Sequence, residues 1–232
     1  MISSLLMRTS VAVLSAGLAF AGDNTATAAG PRLGLVLDSA AGSLRPIGGI
    51  PGAAITGEPL RLGFAISRAA FSPAQDAALV VKASDSSLVL VRAVGGAWVA
   101  SSLDAVQPAP DLMAFSPGGS AAALYYAAGR VQILTGLPDA ANVAGELDVS
   151  GLPAPVTAMA VDDAGSFLLM AAGQAESVSL YRAPMGSPPS QVTMFRSVSA
   201  LRLFDAGRKA LVTDAIAATV YQVADPDRKS VV

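Results

Sequence analysis

Four stretches of this chain can be laid over one another: FSPAQDAALV at 71–80, FSPGGSAAAL at 115–124, VDDAGSFLLM at 161–170 and LFDAGRKALV at 203–212. Their leading residues, Phe71, Phe115, Val161 and Leu203, stand 44, 46 and 42 positions apart. A second landmark, the apolar run that opens at Leu88, Val131, Val178 and Val220, keeps spacings of 43, 47 and 42. Two landmarks on one period define a repeat, and such a period constrains the fold more than any single motif does. Each unit must bury its apolar surface against copies of itself.

The local pattern says what the unit is made of. Apolar runs are four to six residues long, are separated by Gly, Pro, Asp and Ser, and never sustain helical spacing over a helical length. They predict strands at 33–37, 78–81, 88–91, 131–134, 167–171, 178–181, 210–213 and 219–223. The segment 121–128 is rich in Ala, the best helix former, but Gly118-Gly119 and Gly129 bracket it to about two turns, so it too reads as a strand. A further strand of each unit runs through 98–103, 145–149 and 191–196. Four antiparallel strands in about 44 residues make one small sheet, apolar on both faces. Radial stacking of such sheets is an all-β fold, the β-propeller, with each sheet a blade. It explains how 53% of the residues can be hydrophobic and 14% charged without a membrane. An outer-membrane barrel would need longer alternating strands and aromatic girdles, and aromatic residues are only 5% here.

Phe-Ser-Pro at the head of 71–75 and 115–119, a Leu/Val-rich strand after it, and GRVQI at 129–133 resemble the YVTN and WD40-like repeats of bacterial exported propellers. The resemblance covers about residues 33 to 232. The third and fourth units depart from it, and neither Tyr-Val-Thr-Asn nor the Trp-Asp dipeptide occurs. It implies four-stranded blades and an interaction or scaffold role with a protein partner. Its alternative implication is a lactonase-like or quinoprotein-like enzyme with a carboxylate-lined or metal-binding channel. The units divide the chain into a half-blade at 33–63, blades at 65–109, 111–155 and 156–199, and a partial blade at 200–232. That is about four and a half to five blades, which fits an incomplete ring or a closed five-bladed one.

Residue types then narrow the chemistry. With no Cys and no His, disulfides, thiolate nucleophiles, Ser-His-Asp triads and His-held metals are excluded. Lys and Arg total 15 against 17 Asp and Glu, with no basic stripe, so nucleic acid is not an expected partner. The glycines at 48–52 and 118–119 lack the Gly-Lys-Ser/Thr ending of a phosphate loop. No catalytic residue and no cofactor is assigned. The pairs Asp162-Asp163 and Asp225/Asp227 could supply oxygens to Ca²⁺, but they fall at turns, where Asp bonds its own backbone. The loops between second and third strands, at 83–87, 128–130, 173–177 and 214–218, offer Asp85, Arg130, Glu176 and Asp214 at equivalent positions. These four are the candidate ligand or partner residues, forming a mostly acidic mouth if they converge.

The N-terminus supplies an address. Arg8, an 11-residue apolar run at 11–21 and the Ala19-Phe20-Ala21 ending have the layout of a secretory signal peptide over 1–21. The run is too short to span a ~30 Å hydrocarbon core as a helix. Met7 is an alternative start. Residues 22–32 then read as a flexible mature N-terminus, and the protein is expected in the periplasm, on the cell surface or outside, with no membrane span after cleavage.

Overall fold

The Ser of Phe-Ser-Pro is there to close a turn. The computed structural model, which describes residues 32–174 and 176–225, shows Ser72 Oγ accepting from the backbone N–H of Asp76 (3.2 Å) and Ala77 (3.1 Å) while donating to Asp76 Oδ1 (2.7 Å). Ser116 Oγ accepts from Ala121 N in the next repeat (3.1 Å). In the third, Asp162 takes over: its Oδ1 accepts from Ser166 N (2.7 Å) and Phe167 N (3.0 Å), and its Oδ2 accepts from Ser166 Oγ (2.7 Å). The departure from Phe-Ser-Pro therefore preserves the bond that the motif exists to make. Three residues further on the backbone is left-handed in every repeat. Gly119 (φ 79°), Gly165 (φ 65°) and Gly207 (φ 82°) accept this at no steric cost, whereas Gln75 (φ 59°) does not. Gln75 Oε1 accepts from Leu35 N (2.9 Å) and so ties its turn to the neighbouring sheet.

Those turns punctuate eighteen strands, and no helix occurs among the described residues. The first sheet holds β1 (Arg32–Asp38), β2 (Ser43–Gly48) and the two-residue β3 (Ile55–Thr56). The second holds β4 (Ile66–Phe71), β5 (Ala77–Lys82), β6 (Leu88–Val94) and β7 (Ala97–Ser102). The third holds β8 (Leu112–Phe115), β9 (Ala121–Tyr126), β10 (Arg130–Thr135) and β11 (Asn142–Asp148). The fourth holds β12 (Val156–Val161), β13 (Phe167–Gln174), β14 (Ser177–Pro184) and β15 (Ser190–Phe195). The fifth holds β16 (Ala200–Phe204), β17 (Lys209–Asp214) and β18 (Thr219–Ala224). Within each sheet, strands consecutive in sequence pair antiparallel, so these are five separate sheets and not one barrel. The first sheet, read from the sequence as the half-blade 33–63, holds three strands. Residues 1–31, where the expected signal peptide lies, and Asp227 of the second acid pair are outside the described residues.

Sheets stack through four apolar layers. Leu44 of the first sheet packs with Ala78 and Val80 of the second. Leu79 and Leu90 of the second pack with Leu124 and Leu134 of the third. Ala123 and Ile133 face Leu168 and Met170 of the fourth, and Leu169 and Leu180 face Ala210 and Val212 of the fifth. Successive residues of the second strand thus point to opposite neighbours, which is why β5, β9 and much of β13 are buried continuously and do not alternate. Burying a Leu this fully contributes about 2 kcal/mol. The innermost strands β4, β8, β12 and β16 lie side by side around a common concavity.

The arc stays open. Among the described residues no apolar layer joins the fifth sheet to the first. Leu211, at the repeat position of Leu79, Ala123 and Leu169, is 41% exposed where those three are 0%.

Candidate functional site

The four residues predicted as a mouth all sit where the second strand hands over to the third. The repeat therefore puts them at one end of the propeller, but no hydrogen bond or ion pair joins any two of them. Asp85 Oδ1 accepts from Ser87 N (3.0 Å) and Ser87 Oγ (2.7 Å), and these bonds hold its carboxyl below the usual range. Arg130 reaches Glu146 of the adjacent strand at 3.8 Å. Glu176, in a left-handed turn (φ 68°), faces Arg196 at 3.8 Å.

Asp214 is different in kind, because it is buried. Its carboxylate accepts from Arg196 N (3.0 Å), Ser197 Oγ (2.7 Å), Ile216 N (3.1 Å) and Ala217 N (3.0 Å). Burial works against the charge, but the bonds from Ala217, Ser197 and Arg196 outweigh it and bring the pKa down to about 2. Asp214 therefore joins the β15–β16 connection to the β17–β18 turn. A carboxylate whose folded pKa lies below its unfolded value near 3.9 stabilises the fold fully above that value. The contribution is lost as pH falls through the folded value near 2. We expect the melting temperature of the wild type to drop more steeply between pH 4 and pH 2 than that of Asp214→Asn, by paired thermal melts.

Around Arg130 the surface dips into a concavity of about 340 Å³ lined by Ala128, Glu146, Leu147, Asp148 and Ser150. Beneath it lies a polar network that sequence reading missed. The buried Gln132 accepts at Oε1 from Gln107 N (2.9 Å) and donates from Nε2 to Glu146 Oε1 (2.8 Å). Tyr126 Oη is 2.7 Å from Gln107 O and 2.9 Å from Gln132 Oε1, so one proton serves two acceptors. Burial, then the charge of Glu146, push the Tyr126 hydroxyl pKa up, so it stays a donor.

The second concavity, also about 340 Å³, is the centre of the arc. Its walls come from β4, β8, β12 and β16 and include Phe71, Met113, Phe115, Met159 and Leu203, with Arg202 the one charged residue among its lining. Sequence reading overlooked Arg202, although a signal was there. Ala70, Ala114 and Ala160 occupy its position in the other repeats.

The Asp162-Asp163 pair is divided between two tasks. Asp162 closes its turn, while Asp163 Oδ1 accepts from Gly118 N of the preceding sheet (2.6 Å) and Asp163 O accepts from Ser120 Oγ (2.8 Å). Among the described residues, no three His, Cys, Asp or Glu side chains gather closely enough to hold a metal ion.

Separate four-stranded sheets stacked around a central concavity define a β-propeller. No protein-family model matches the chain, and no curated protein matches its sequence. Solved propellers do match its shape. The β-propeller domain of Swd1 from Myceliophteria thermophila aligns at TM-score 0.52 and 6% identity, covering 78% of this chain and 62% of that one. A Bacteroides fragilis protein assigned as a 6-phosphogluconolactonase aligns at 0.51 and 12%, over 79% of this chain and 60% of that one. A chain of a nidogen/laminin complex aligns at 0.53 and 12%, over 82% and 73%. At such identities the likeness is one of fold alone. The chain spans 62% and 60% of the length of the first two. The likeness to solved proteins is to β-propellers in general, and no family model supports the narrower bacterial YVTN resemblance.

Proposed function

We propose that this is an exported, non-enzymatic β-propeller that serves as a protein-interaction or scaffold module. The observation that carries the reading is how its acids are used. Asp162, Asp163 and Asp214 are tied into turns and sheet-to-sheet joints by N–H and O–H donors. Asp85 is held ionised by Ser87. A general acid needs a carboxyl that keeps its proton near working pH, and the bonds to Asp85 and Asp214 lower their pKa instead. A partner would meet the loop end, where Arg130 lines its concavity and Asp85 and Glu176 are exposed at the equivalent junctions of the neighbouring sheets. The proposed address, the periplasm, the cell surface or the outside, is supported by the signal-like layout of residues 1–21.

The competing reading is a lactonase-like enzyme. It draws on the Bacteroides fragilis neighbour, though the shared fold does not carry activity with it. One experiment separates the two. The purified chain is melted with and without millimolar Ca²⁺ and assayed for hydrolysis of sugar lactones. We expect an unchanged melting temperature and no turnover. A Ca²⁺-dependent rise accompanied by hydrolysis would replace the interaction reading with the enzymatic one.

A further inference from the structure

We draw no further inference here: the strongest candidate, the concavity of about 340 Å³ around Arg130 at the loop end of the third sheet, belongs to the site already described, and nothing in the structure shows what fills it.

Discussion

Leu169→Ala is expected to lower the unfolding free energy by about 3 kcal/mol, while Leu211→Ala at the equivalent place in the next repeat, measured in dilute monomer, changes it by less than about 0.5 kcal/mol. Both leucines lie mid-strand with the same spacing from the preceding turn, and both oppose a residue of the innermost strand, Ala160 and Arg202 respectively. Only their surroundings differ. Leu169 is fully buried in the layer between the fourth and fifth sheets, against Ala210 and Val212. Cutting it to Ala removes transfer free energy and leaves a cavity that two paired sheets can close only in part. Leu211 already meets solvent on one side, so little is lost. Urea unfolding of the two variants would measure the difference. Equal costs would mean that Leu211 is covered in the folded monomer and that the arc is closed.

Gly129→Val should be among the most damaging single changes at a turn, costing more than about 3 kcal/mol. Gly129 has φ 84°, a region that β-branched residues avoid. A Cβ there would lie 2.5 Å from Ser150 Cα and 2.8 Å from Ser150 N. Neither atom can swing aside, because Val149 N donates to Gly129 O (2.7 Å) and Ser150 N donates to Asp148 Oδ1 (2.9 Å). Strain and collision therefore add. Gly95→Ala is the control, with φ 57° and open space around the added methyl. It should cost only about 1 kcal/mol. Thermal melts of both variants separate the two terms, and a tolerant Gly129→Val would show that the 149–150 segment can move.

Much of the candidate site was out of reach of sequence reading, and particular residues show why. The period predicted that Asp85, Arg130, Glu176 and Asp214 occupy equivalent loops; all four stand at the junction of second and third strands, with Arg130 the first residue of β10 and Asp214 the last of β17. It could not say that Asp214 is buried under four donors while Glu176 faces Arg196 across the surface. Arg196, which bonds Asp214 through its N–H and faces Glu176, is 18 and 20 residues from them and is brought close only by strand pairing. The Gln132–Tyr126–Glu146 network was invisible for the same reason. Asp162 is the reverse case. Its place in the repeat marked it as a turn residue, and its bonds to Ser166 and Phe167 make it one.

Sequence alone determined the blade: a strand length, a turn and a period are local properties, set by residue types within about 44 positions of one another. It also determined that sheets must stack, because strands such as AALVVK and AAALYY have no polar side to give to water. Whether the stack closes on itself was decided only in three dimensions. Leu211 reads like Leu79 and Leu169 in the alignment of repeats, yet one is exposed and the others are buried. Burial depends on whether a further sheet arrives at that face, and nothing in the residue itself records that.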